Sequence, residues 1–251
     1  MLENLRYEDI ETIFLVVFAL IFVLLEKLWP KNQNLDIKAT LKWDIVCFFA
    51  LVLGVNISRL VISKFYSSIH LDFGLMETTA QWTFVTRFLI AFFLSDFVLY
   101  WLHRGMHHNP FLWRTHQFHH TTETLYWFSG FRTSFMHAFL YAFPQVLVGF
   151  YLFRFTTLEL GIAFGMGVIA NLFSHSNLAI PKSWRLHYLF VTPDFHHPHH
   201  SQLGTQNKNF GNVFTVWDRL FGSYVDPNKI RSDFKYGLKD QPNKWRSMTG
   251  L

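Results

Sequence analysis

Two stretches of this chain leave little choice of solvent. Residues 133–153 contain no Asp, Glu, Lys or Arg, and residues 160–178 contain only His175 as a group that could become charged. Each approaches the roughly 20 apolar residues that an α-helix needs to cross a bilayer core. Three further stretches follow the same pattern. Residues 12–25 are uncharged and closed by Glu26-Lys27 and Trp29-Pro30; residues 45–58 lie between Asp44 and Arg59; residues 88–102 are apolar apart from Asp96. The first two of these are short. They span only if flanking Trp, Lys and Arg side chains reach the interface, and the alternative is a re-entrant hairpin. Composition agrees: 51% of residues are hydrophobic, 16% are charged, and mean hydropathy is +0.17, too little charge to cover a water-facing surface. The fold expected is an all-α, polytopic membrane helical bundle with four to five membrane segments.

Orientation follows from where the basic residues fall. With five spans, 17 of the 22 Lys and Arg lie on one side, in residues 27–42, 104–132 and 182–246. The other side holds Arg6, Arg59, Lys64, Arg87 and Arg154. The positive-inside rule then places the basic side, with its histidines, in the cytoplasm. Residues 12–25 do not read as a cleaved signal peptide, because acidic residues precede them and no small-residue cleavage site follows. The organisation expected is N-terminal membrane segments over residues 1–87, a catalytic domain over 88–227 and a polar, peripheral tail over 228–251. No basic block interleaved with aromatic residues suggests nucleic acid as a partner. The lone Cys47 excludes an intrachain disulfide and a cysteine-based metal site.

Within this apolar frame the histidines are concentrated. Of 14, six are His103, His107, His108, His116, His119 and His120, and four more are His196, His197, His199 and His200. His103 and His107 are four residues apart; His116, His119 and His120, like His196, His199 and His200, repeat the three- and four-residue spacing that puts side chains on one helix face. Neutral imidazoles at this spacing suit Fe, Zn, Cu or Ni. Eight or more donors exceed what one ion accepts, so two neighbouring metals are the economical reading. A pH-sensing patch or an adventitious metal tract is the plainer alternative. His175, near the end of an apolar segment, is the next candidate, because ionisable groups at that depth are commonly functional. Isolated His70 and His137 read as structural.

Asp96, Tyr100, His103 and His107 advance by four, three and four residues along one stripe. Asp96 is therefore placed either to hold an imidazole N–H behind the metal or to make a helix-packing contact. Trp113, Trp127 and Trp217 read as membrane-interface anchors in preference to pocket aromatics. His-Glu-x-x-His is absent, and no cluster contains an acidic residue placed as a general base, which weighs against a zinc-dependent membrane hydrolase.

The motifs His103-Arg104-Gly105-Met106-His107-His108, His116-Gln117-Phe118-His119-His120, His175-Ser176-Asn177 and Thr192-Pro193-Asp194-Phe195-His196-His197-Pro198-His199-His200 resemble the histidine boxes of the fatty acid hydroxylase/sterol desaturase superfamily. Asn209-Phe210-Gly211-Asn212 and residues 216–224 resemble the segment that follows the last box. The resemblance implies a membrane-bound di-iron lipid hydroxylase or desaturase: two Fe ions, with Zn a possible substitute on purification, and O2 as co-substrate. Its metal ligands would fall on His103, His107 or His108, His116, His119, His120, His175, His196, His199 and His200, with Asn177 and His197 supporting them. Departures occur at Leu125-Tyr126-Trp127-Phe128 and Arg132-Thr133-Ser134-Phe135, where many members carry an Asn and then Arg-x-His-Pro; they bear on the substrate more than on the metal.

The substrate implied is a membrane lipid or sterol-like hydrocarbon. No dinucleotide fingerprint, Cys cluster or haem-binding domain is present in the sequence. Electrons are therefore expected from a separate donor, a cytochrome b5-like protein, ferredoxin or reductase, docking on the basic cytoplasmic face.

Overall fold

The computed structural model describes residues 7–69, 78–79, 81–153, 155–231 and 233–251. Among these residues the architecture is helical, and the only β pairings are isolated bridges. Arg6, His70 and Arg154 lie outside the described residues. The long helices are α1 (Tyr7–Leu28), α2 (Lys38–Ile69), α3 (Phe84–His108), α5 (Phe135–Val146) and α6 (Thr157–His175). Shorter helices are α4 (Pro110–His116), α7 (Pro193–His196), α8 (Val216–Leu220) and α9 (Lys244–Thr249).

Among the described residues three helices are long and apolar enough to cross a membrane: Lys38–Ser58 within α2, all of α3, and Leu158–His175 within α6. Outward faces agree with a lipid solvent, since Leu20, Phe49, Leu53, Val85 and Leu89 are all exposed. The stretch over 133–153, expected to run as one helix, is divided. Its α-helix ends at Val146, and Leu147–Leu152 continue as a π-helical turn in which Phe153 N–H reaches the Val148 carbonyl. Pro144 lies inside α5 and lacks the N–H that regular helix bonding requires. α1 and α2 are continuous helices of 22 and 32 residues.

α1 packs along α6, and α2 along α5. Phe22, Phe131, Leu172 and Leu178 form the buried centre between α1, α6 and the turn Trp127–Phe131. One end of the bundle gathers its polar chemistry. There α1 finishes beside the segment after α6, through Lys31 N–H to the Asn177 carbonyl and Ala179 N–H to the Trp29 carbonyl. The start of α2 meets the chain two residues before α5's cap, through Asp44 and Arg132.

Local caps set the geometry at this end. Asn109 ends α3, and its side-chain oxygen accepts the Phe111 and Leu112 N–H groups that open α4, with Pro110 at the first helical position. This turn folds His116 back over His103 and His107. Ser134 caps α5, and Thr192 caps α7 ahead of Pro193. The tail lies against the polar end of the bundle. Trp245 packs edge-on against Trp43, and Gly237 N–H donates to the His200 carbonyl.

Candidate metal centre

Nine imidazoles converge at the polar end in two groups. His103, His107, His116, His120 and His199 form the first; His119, His175, His196 and His200 form the second. Within each group one ring nitrogen from every histidine lies within 4.8 Å of the others. No carboxylate joins either group among the described residues. Burial holds His116, His120, His196, His199 and His200 well below the ordinary imidazole range, and His119 down to about 4, because a charged ring there would be stripped of water. At neutral pH these rings carry lone pairs.

Ring orientation shows where the lone pairs point. His103 Nδ1 donates to the Phe210 carbonyl and His199 Nδ1 to the Lys208 carbonyl, both at 2.8 Å. A carbonyl only accepts, so both Nδ1 atoms carry the proton and both Nε2 atoms are bare in the neutral ring. Those two Nε2 atoms face each other at 3.0 Å. The second group repeats this: His119 Nδ1 donates to the Arg132 carbonyl at 2.8 Å, His175 Nδ1 to the Asn171 carbonyl at 2.9 Å, and their Nε2 atoms are 3.1 Å apart. Facing lone pairs repel unless a cation lies between them. A shared proton would create a buried imidazolium with no carboxylate to offset it. Nitrogens bound at about 2.1 Å to one metal ion sit about 3 Å apart around it, so the donor set fits one ion in each group.

His108 does not join. Five residues beyond His103, it falls on the opposite side of α3, is exposed, and donates through Nδ1 to the Arg104 carbonyl one turn back. His107 is the ring that turns inward, meeting His116, His120 and His199 edge-on. His197 lies outside both groups, buried, with Nδ1 3.0 Å from the Tyr236 hydroxyl.

Of the two roles open for Asp96, the structure shows the packing contact. Asp96 touches no imidazole: its carboxylate accepts the Val213 and Phe214 N–H groups and Trp217 Nε1. The carboxylate lies two turns before the histidines on α3, level with the returning 211–217 loop. Asn177 likewise serves the backbone, accepting from Asn32 N–H and donating to the Asn32 carbonyl, which fastens the chain after α1 to the chain after α6. Trp217 is buried and hydrogen-bonded, and Trp113 lies against His107 and His120, so neither acts as a simple interface anchor.

Sequence reasoning missed three supports. His137 is buried, stacks on His116 and Tyr141, and lies 2.8 Å from His116 through the two Nδ1 atoms. Arg132 and Asp44 form a fully buried ion pair at 2.6 Å, with the Tyr126 hydroxyl donating to the second Asp44 oxygen. Asp218 holds the Phe210 and Gly211 N–H groups at 2.7 Å each. The signal available for Arg132 and Asp44 was two charges bordering apolar runs.

A cavity of about 400 Å³ opens onto the histidines and continues between the helices. His103, His116, His119, His175 and His196 line one end; Gly149, Phe155, Leu160 and Phe164 line the other.

The fatty acid hydroxylase family model matches residues 88–223, more than half of the chain. Rat lathosterol oxidase is 28% identical over 170 residues, covering 66% of this chain and 53% of that protein. An ornithine lipid hydroxylase of Rhizobium tropici is 30% identical over 157 residues, 61% of this chain and 46% of that protein. An alkylglycerol monooxygenase of Xenopus tropicalis is 24% identical over 238 residues, 92% of this chain and 50% of that protein. The chain thus spans about half the length of the curated relatives it matches. No solved structure matches. Histidine boxes folded into two facing groups, and a family match that covers all of them, place this chain in the fatty acid hydroxylase family.

Proposed function

We propose that this protein is an O2-dependent di-iron oxidoreductase that hydroxylates or desaturates an unactivated C–H position of a membrane lipid. The observation that carries the reading is the pair of facing Nε2 lone pairs in each histidine group, His103 with His199 and His119 with His175. Imidazole suits iron, and the two groups are contiguous, since His119 and His120 are neighbours assigned to different groups. Two irons bound there would supply the oxidising power that no protein side chain has.

The chain's own residues do the rest. His103, His107, His116, His120 and His199 would hold one ion, and His119, His175, His196 and His200 the other. Carbonyls of Phe210, Lys208, Arg132 and Asn171 fix ring tautomers so that Nε2 stays bare. The cavity walls exclude water and lay a hydrocarbon against the histidines. Electrons would come from a separate cytochrome b5-like protein, ferredoxin or reductase, drawn to the basic, cytoplasmic side.

A zinc-dependent hydrolase is the weaker reading. Asp96 and Asp218 each accept three hydrogen bonds from nearby groups, Asp194 pairs with Lys31, and none of the three belongs to either histidine group. Lipid profiling of cells with the intact protein and with a His119→Ala/His199→Ala double variant tests the proposal. It expects lipids that gain one oxygen or lose two hydrogens only with the intact chain and only in air; identical profiles, or product formed under argon, refute it.

A further inference from the structure

Part of the chain that spans nothing lies at membrane depth. α3 is a membrane-crossing helix with its histidines near one end, and Phe93 precedes His103 along it by about 15 Å. The loop and short helix that follow the last histidines pack on this stretch. Phe214 and Phe93 have ring centres 5.6 Å apart, Trp217 of α8 lies 4.5 Å from Phe93, and Phe221 lies 4.8 Å from Trp101. Phe93 and Trp101 are themselves exposed, on the face that α3 turns to lipid. Phe190 joins the row through Phe214, at 5.8 Å. These two ring spacings together fall short of the distance from Phe93 to His103, so Phe190 as well as α8 lies on the bilayer side of the histidines.

The side chains presented outward there suit the edge of a leaflet. Leu189, Leu220 and Trp184 are 66%, 65% and 64% exposed, and Tyr188 and Phe190 are exposed beside them. Backbone bonds hold this row out: Val191 N–H donates to the Val213 carbonyl at 2.8 Å and Thr215 N–H to the Leu189 carbonyl at 3.1 Å, fastening both sides of Phe190. Side chains so fixed cannot fold back to hide from water, and a contiguous apolar face of this kind marks contact with another apolar phase.

Cations border the row. Lys182, Arg185 and Arg219 are all exposed, and none makes an ion pair among the described residues. Arg219 is held in place, with its guanidinium 4.9 Å from the Tyr188 ring and 4.0 Å from that of Tyr224. Residues 182–193 contain no Asp or Glu, and residues 211–225 contain only Asp218, which is buried and bonded to its own loop. Apolar tips bordered by unpaired cations, with no exposed carboxylate between them, complement an anionic leaflet: acyl tails take the tips and phosphates take the charges.

We infer that residues 182–190 and α8 form a shoulder embedded in the leaflet on the histidine side, binding anionic lipid headgroups through Lys182, Arg185 and Arg219. The part of the protein inside the bilayer is then wider than its spanning helices. The loop after Phe210, whose carbonyl orients His103, has lipid behind it.

The test uses the purified full chain in phosphatidylcholine vesicles containing phosphatidylglycerol. Cys47 is fully buried, so nitroxide labels attach at Leu189→Cys, Leu220→Cys and, as a reference beyond the end of α3, Phe111→Cys. Labels at 189 and 220 should collide with O2, which concentrates in lipid, more than with a water-soluble nickel chelate; the label at 111 should show the reverse. Nickel reaching 189 and 220 as readily as 111 would overturn the inference, and so would shielding of both from either reagent, which would mean that protein covers them. Headgroup recognition is read by native mass spectrometry with equal amounts of the two lipids. A basic residue near an anionic surface is worth about fivefold in affinity, so the parent should retain phosphatidylglycerol over phosphatidylcholine by about fivefold or more. Arg185→Gln/Arg219→Gln should lose this preference, and Arg185→Lys/Arg219→Lys should keep it. Equal retention of both lipids by the parent, a preference that the Gln pair leaves unchanged, or its loss in the Lys pair as well would overturn the assignment of these charges to headgroups.

Discussion

Asp218 and His103 are joined through one residue without touching. Phe210 gives its N–H to Asp218 Oδ1 at 2.7 Å, and its carbonyl receives His103 Nδ1–H at 2.8 Å. The same carboxylate takes Gly211 N–H and the Ser223 hydroxyl, so the loop that sets the His103 tautomer is pinned at two successive N–H groups and tied to the segment after α8.

Asp218→Asn replaces one acceptor oxygen with a donor and leaves a backbone N–H facing it. Loss of such support behind a metal-binding histidine typically weakens metal affinity about 10- to 100-fold. Competition with a chelator should show this loss in the group containing His103, with the His119 group retaining its ion. Equal retention in both would show that the Phe210 loop holds its place without Asp218.

The ion pair between Arg132 and Asp44 is sealed from water, and Arg132 also gives its backbone carbonyl to His119. Removing one partner of a buried pair strands the other charge and costs about 3–5 kcal/mol. Arg132→Met should therefore lower thermal stability in detergent sharply, and adding Asp44→Leu should recover much of it. Losses that simply add in the double variant would contradict coupling between the two.

How much of this was legible in the sequence follows from distance along the chain. The spacing of His103 with His107, and of His196 with His200, is local, and helical periodicity alone places those rings together. The boxes could be aligned to two groups only after folding, because His119 and His120 are adjacent yet separate into different groups. Asp96 was visible as an anomaly in an apolar run, but its partners lie over 110 residues away in a loop with no periodic pattern. Arg132 and Asp44 are 88 residues apart. His137 has no neighbour at ligand spacing, and its contact with His116 depends on α5 crossing the α3–α4 turn. Short-range pattern reveals donors; it does not reveal what braces them.

His107 and His108 satisfy the motif equally well in sequence and differ completely in placement. His107→Ala should lower metal bound in the first group, and His108→Ala should leave metal content unchanged, as measured by elemental analysis of purified protein. The reverse result would mean that the end of α3 turns by about 100° when metal binds.

Gly130 lets the Trp127–Phe131 turn lie against α6. A methyl group there would sit 2.8 Å from Asn171 Nδ2 and 3.2 Å from His175 Nδ1. Gly130→Ala should displace His175 and weaken the second group selectively, so that chelator titration releases one ion earlier than in the parent chain. Simultaneous release of both ions at the parent's chelator concentration would contradict the assignment of His175 to its own group.

Iron content per chain tests the central claim most directly. Protein expressed with ample iron, purified without added metal and measured for all transition elements together should contain two irons per chain. One ion per chain, or none in protein that still converts its lipid, would contradict a paired centre held by nine imidazoles.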